Sequence, residues 1–131
     1  MMAHKAVVVH GIADARAALA PGLALTLLSA PGAALFAGCG WWRALVGIAR
    51  AEHPGVPITD MLDCADAPGR AAEALRTGQK IIIVAVPDAL FASLSALAAE
   101  SGATVLRQRP PALDLARPGA ARRIVAWLSQ P

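Results

Sequence analysis

Tyrosine is absent from this sequence, and only three tryptophans and two phenylalanines stand in its place. The core must therefore be assembled from Val, Leu, Ile and Ala, and 56% of the residues are hydrophobic. Charge is also scarce, at 16% of residues. Disorder requires low hydrophobicity and high net charge, so this composition excludes it. The only two cysteines, Cys39 and Cys64, form neither a CxxC pair nor a disulfide framework. They read as buried free thiols, which points to a reducing, cytoplasmic location. At 131 residues the chain is expected to be a single domain, residues 1–131, able to bury a two-sided core.

No charged residue falls between positions 17 and 42, a run long enough to span a membrane. Pro21, Gly22, Pro31 and Gly32 break it into pieces that suit a strand and a loop, so no membrane partner is expected. Phe36-Ala37-Gly38-Cys39 is similar to a lipoprotein cleavage box, but Asp14 and Arg16 stand where a signal peptide turns apolar. The net charge is +3, and its excess lies in Arg107, Arg109, Arg117, Arg122 and Arg123. No stacking platform or recognition motif accompanies these arginines. They read as a solvated face rather than a nucleic-acid surface.

Short apolar strands alternate with helical segments along the chain. Ala6 to His10 (AVVVH) and Lys80 to Val86 (KIIIVAV) are continuous β-branched runs of the kind buried on both faces. Leu23 to Leu28, Pro57 to Asp63 and Thr104 to Leu106 complete five strands, with helix an open alternative for the leucine-rich second. Helices are expected over Asp14 to Ala20, Trp41 to His53, Pro68 to Thr77, Asp88 to Ser101 and Pro118 to Ser129. Inward positions are Trp41, Trp42, Leu45, Val46, Ile48 and Ala49 in the second helix. In the fourth they are Leu90, Leu94, Leu97 and Ala98, and in the last Ile124, Val125, Trp127 and Leu128. A Pro-rich loop precedes the last helix, and no internal repeat is read. Five strands alternating with helices predict a three-layer α/β domain. Its mainly parallel, five-stranded sheet would carry helices on both faces in the flavodoxin-like manner.

Open parallel sheets bind ligands outside the carboxyl ends of their strands. Those ends hold His10, then Ser29, then Asp63, Cys64 and Asp66, then Asp88, then Arg107 and Arg109. Asp66 and Asp88 also suit helix capping, a role that needs no chemistry. Asp63 and His10 are the candidate catalytic pair, as base and acid. Arg107 or Arg109 would clamp an anion. Ser29, Cys64, Asp66 and Asp88 are candidate ligand contacts. No HExxH, EF-hand, GxGxxG after the first strand or GxxxxGK[ST] is present, so no metal is assigned and the cofactor is left open. Trp41 and Trp42 are neighbours and cannot both point straight at a sheet. Either one lies at a helix flank as an interface anchor, or both sit at the margins of a broad buried stripe.

MLDCADAPG, KIIIVAV, GATVL and Arg109-Pro110 together resemble a response-regulator receiver domain over most of the chain. That resemblance implies a five-stranded doubly wound fold with Asp63 at the phospho-acceptor position. The acidic pair of that family is replaced by His10-Gly11-Ile12-Ala13-Asp14. Its strand-four hydroxyl is replaced by Ala85 and Val86, and its lysine by Arg109. The resemblance therefore implies a degenerate form that takes no phosphoryl group. Val56 to Val84 is also similar to one strand-helix-strand unit of barrel-type aldolases. The expected function is a non-catalytic interaction or ligand-binding module that self-associates, with a homo-oligomer and a small anionic ligand as partners. The alternative is a small enzyme acting on a phosphorylated or carboxylated metabolite, with Asp63 as general base.

Overall fold

The computed structural model describes residues 4–131. The chain is an α/β protein of parallel strands and flanking helices, with six strands among the described residues where five were expected. In chain order the elements are β1 (Ala6–Val8), α1 (Ile12–Leu19), β2 (Leu25–Leu28), α2 (Ala33–Phe36), α3 (Cys39–Glu52) and β3 (Ile58–Asp63). They continue with α4 (Pro68–Arg76), β4 (Ile81–Ile83), α5 (Asp88–Ala99), β5 (Thr104–Leu106), β6 (Ala112–Asp114), a 3-10 turn (Ala120–Arg123) and α6 (Ile124–Leu128). The residues group into two compact units. The first comprises Met1–Leu28, Ala44–Asp60 and Pro110–Pro131, and the second Ser29–Arg43 and Met61–Arg109.

In the first unit β1 lies between β2 and β6, both parallel to it. Val7 is in register with Leu27 on one side and Leu113 on the other. Residues 6–9 and 25–28 are all buried, as continuous apolar runs in a covered parallel sheet should be. The additional strand, β6, falls in the stretch whose prolines predict a loop. It is three residues long and has no β-branched side chain, so propensity does not mark it. It forms because β1 would otherwise leave an edge of unpaired backbone groups, and the Leu115 N–H donates to the Val8 carbonyl at 3.2 Å.

The expected last helix is also shorter than its sequence pattern. Gly119 adopts φ +77, and the chain passes through the 3-10 turn before α6 begins at Ile124. Leu113, Ala120 and Ile124 form a small buried cluster against which Leu115, Trp127 and Leu128 pack. The Trp127 Nε1–H donates to the Ala6 carbonyl at 2.8 Å. Lys5 Nζ lies 4.7 Å from the centroid of the same ring. Val125, expected inward, is 55% exposed, because only one side of this single turn of helix meets the cluster.

In the second unit the end of β3 (Leu62 and Asp63), β4 and β5 follow one another in parallel. Ile82 and Ile83 are buried in the middle strand, whereas Thr104 of β5 is exposed, as an edge strand permits. The Pro-Gly start of α4 is as the sequence suggested. Its N-cap is Ala67, without a side-chain cap, and Asp66 is exposed rather than capping it. Asp88 occupies the first turn of α5 and likewise makes no cap bond. Leu94 and Ala98 carry the buried face of α5, while Leu90 lies outside it. Along α3, Trp42, Leu45, Val46 and Ala49 are buried and Ile48 is exposed, a narrower stripe than the sequence arc.

The β6 cluster defines a stability test. Leu113→Ala should cost about 2–4 kcal/mol in denaturant unfolding, through lost burial and the cavity left behind. Val125→Ala, on the exposed side, should stay within about 0.5 kcal/mol.

Candidate functional site

Asp63 closes β3, and its N–H and both carboxylate oxygens are bonded within the second unit. Its backbone N–H donates to Ser29 Oγ at 2.9 Å. Oδ1 accepts the Gly32 N–H at 3.0 Å and the Ala65 N–H at 2.8 Å. Oδ2 accepts Arg109 Nη1 at 2.9 Å. The Asp63 side chain is 7% exposed and that of Arg109 26%, so this is a largely buried, charge-assisted pair. Ser29 is fully buried and donates its hydroxyl to the Ala30 carbonyl at 3.1 Å. The bond from Ala65 closes a turn in which Ala65 takes φ +49, a left-handed conformation that costs a residue with a Cβ about 1–2 kcal/mol. Ala65 returns a carbonyl bond to the Ala85 N–H at 2.7 Å, which ties the turn to the end of β4.

Cys64 follows immediately and is fully buried. Burial, reinforced by the Asp63 carboxylate and by Cys39, pushes its thiol up to about 12. It is an inert interior thiol, since the thiolate is the reactive species. Cys39 is buried as well, accepting a hydrogen bond from the Thr77 hydroxyl at 3.6 Å.

His10 belongs to the first unit and makes its bonds there. Its Nε2 lies 2.7 Å from Asp114 Oδ1, and its backbone N–H donates to Asp14 Oδ2 at 2.9 Å. Asp114 Oδ1 also accepts the Ala116 N–H at 2.9 Å. Partial burial raises the Asp114 carboxyl, but the Ala116 N–H, the His10 imidazole and the Arg117 charge outweigh it. Together they hold the group below the ordinary carboxylate range. The ends of β1 and β6 lie side by side here. The chain leaves β1 toward β2 and returns on its other side, the reversal at which parallel sheets open a crevice.

Asp114 escaped the sequence reading because β6 did, yet a signal was present. Leu62-Asp63-Cys64-Ala65, followed by Pro68-Gly69, recurs as Leu113-Asp114-Leu115-Ala116, followed by Pro118-Gly119. In both copies the aspartate ends a parallel strand and Oδ1 accepts the N–H two residues on.

The remaining candidates separate by commitment. Arg107 is half exposed, pairs with Asp88 at 3.1 Å, and stacks its guanidinium 3.9 Å from the Phe91 ring centroid. Asp66 faces solvent. Trp42 is fully buried while Trp41 is 36% exposed, and their ring centroids are 6.0 Å apart. The structure thus joins Asp63, Ser29 and Arg109, pairs Asp88 with Arg107, and pairs His10 with Asp114.

No family model and no curated protein matches this chain. Its chemistry must be read from geometry. Among the described residues, no group of three or more His, Cys, Asp or Glu side chains is placed to hold a metal ion. No helix among them is long and apolar enough to cross a membrane.

Two outcomes follow from the strand-end aspartates. Asp63→Asn should lower unfolding stability by about 2–4 kcal/mol, since it strands the Arg109 charge and weakens two backbone bonds. For Asp114 the folded-state carboxyl is depressed, so its contribution is intact above the ordinary value of 3.8 and is lost as pH falls through the folded value. Asp114→Asn should therefore lower stability at pH 7, where the carboxylate contribution is intact, and converge with the wild type as pH falls below about 4, flattening the acid limb of the profile.

Proposed function

We propose that this chain is a non-catalytic binding module that self-associates through α2 and the start of α3. The observation that supports this reading is the clustering of exposed apolar side chains. Phe36 is 71% exposed, Leu35 46% and Trp41 36%, all within residues 35–41. No charged residue lies between Gly32 and Trp42 to solvate them. Scattered single apolar residues on a surface need no explanation, but a concentrated set with aromatics among it is characteristic of an interface. A second copy is the proposed occupant, since closed two-fold pairing is the commonest assembly of soluble chains. The commitment of Asp63 supports the non-catalytic half of the reading. A carboxylate holding three donors has little capacity left to take a substrate proton. The receiver-like kinship belongs to the same proposal, in a form whose acceptor aspartate is held by Arg109. So does a cytoplasmic location, where Cys39 and Cys64 remain thiols.

A second reading, an enzyme acting on a phosphorylated or carboxylated metabolite, draws on the His10–Asp114 pair. The ionised carboxylate only accepts, so neutral His10 carries its proton on Nε2 and presents the Nδ1 lone pair as a base. An imidazole oriented by a carboxylate has the arrangement used in general-base chemistry. In this version His10, rather than Asp63, moves the proton.

Sedimentation velocity separates the two. The binding-module reading expects a monomer–dimer equilibrium at micromolar concentrations, abolished by Phe36→Glu or Trp41→Glu with unchanged circular dichroism. A wild-type chain that remains monomeric at high micromolar concentration contradicts it.

A further inference from the structure

We infer that the cleft between the ends of β4 and β5 is a binding site for a small carboxylate carried on an apolar body, with Arg107 as its anion clamp. The inference deepens the ligand-binding half of the proposed function and is independent of self-association. Three observations within the second unit carry it. The first is an open cleft. The β4–β5 ladder runs as far as the Val84 N–H, which donates to the Leu106 carbonyl at 3.0 Å. Beyond that rung lies a cleft of about 430 Å³, lined by Val84, Ala85, Val86, Pro87, Arg107 and Gln108. This is within the range of about 300–1,000 Å³ typical of small-ligand pockets. Its place outside the carboxyl ends of parallel strands is the one such sheets use for ligands.

The second observation distinguishes the two arginines at this end of the unit. Arg109 is occupied by the nearly buried Asp63, and withdrawing it would strand that carboxylate. Arg107 lines the cleft, and among the described residues its ionic partner is Asp88, whose side chain is 95% exposed. An exposed pair of this kind contributes little and is readily exchanged for a ligand carboxylate. The third observation is preorganisation. With its guanidinium stacked on Phe91 at 3.9 Å, Arg107 loses less side-chain freedom when an anion arrives.

The lining defines the ligand. Ala85, Val86 and Pro87 offer apolar wall above the buried Val84, whereas Arg107 and Gln108 supply the polar groups. One cation opposite aliphatic wall suits a monoanion with a hydrophobic body better than a multiply charged phosphate. A planar guanidinium can also engage a carboxylate through two parallel N–H donors.

The test is a titration of the 15N-labelled chain with benzoate, followed by amide chemical shifts, with inorganic phosphate as the comparison. Saturable shifts centred on Val84, Val86 and Gln108 are expected with benzoate, and weaker ones with phosphate. Arg107→Gln should weaken benzoate binding at least about tenfold, the loss of a charged hydrogen-bonding partner. Asp88→Asn should tighten it by up to about fivefold, by releasing the competing exposed ion pair. This strengthening is not expected if Arg107 serves only to hold α5. The inference is overturned if benzoate shifts do not saturate, if Arg107→Gln binds equally well, or if Asp88→Asn weakens binding. Phosphate binding as tightly as benzoate would overturn the apolar-body assignment. Sedimentation does not enter these outcomes, so failure here leaves the self-association reading separately testable.

Discussion

A strand in a parallel sheet ends with backbone groups that its neighbours no longer satisfy, and the chain must turn away without leaving them unpaired. In this protein an aspartate makes that turn twice. Asp63 after β3 and Asp114 after β6 each fold Oδ1 back onto the N–H two residues later. Each then uses its remaining capacity for a cation or an imidazole, Arg109 in one unit and His10 in the other. The local architecture around both strand ends depends on these carboxylates. At Asp63 the dependence is deepest, because one side chain holds the loop at Gly32, the left-handed turn at Ala65 and the segment after β5.

That arrangement sorts the polar groups at the strand ends of each unit by what they are free to do. Ser29, Asp63 and Arg109 satisfy one another in a largely buried network, where losing any member leaves a costly orphan. Cys64 is sealed behind them. The groups available for recognition lie where the bonding is loose. Arg107 is at the edge of an open cleft, His10 has one ring nitrogen turned to Asp114, and Leu35, Phe36 and Trp41 face outward. Within the second unit, the rigid Asp63 network sets geometry and the exchangeable groups are left to meet partners.

Much of this was legible in the residues. AVVV and IIIV declare buried parallel strands because contiguous β-branched runs suit little else, and the alternation with helices yields the α/β class. Asp63, Ser29 and Arg109 were all identifiable at strand ends. Adjacent residues on a helix point about 100° apart, so the separation of buried Trp42 from exposed Trp41 was one of two foreseeable outcomes. What was not legible depends on distant partners. β6 is too short and too poor in β-branched residues to be seen without the open edge of β1 beside it. With β6 missed, His10 lost its partner. Backbone donors such as the Gly32 N–H have no side-chain signature at all. The exposure of Ile48, Leu90 and Val125 shows that helical periodicity locates a face but not how much of it the neighbours cover.

The claim that Asp63 is a structural keystone of its unit is open to one direct measurement, native-state hydrogen exchange at the two amides its Oδ1 receives. Gly32 and Ala65 lie in a loop and a turn outside regular secondary structure, where exchange is ordinarily rapid. If the carboxylate fastens both, their protection should approach that of the β4 amides, and the two should open together. Rapid exchange at Gly32 and Ala65 while β4 stays protected would contradict the account.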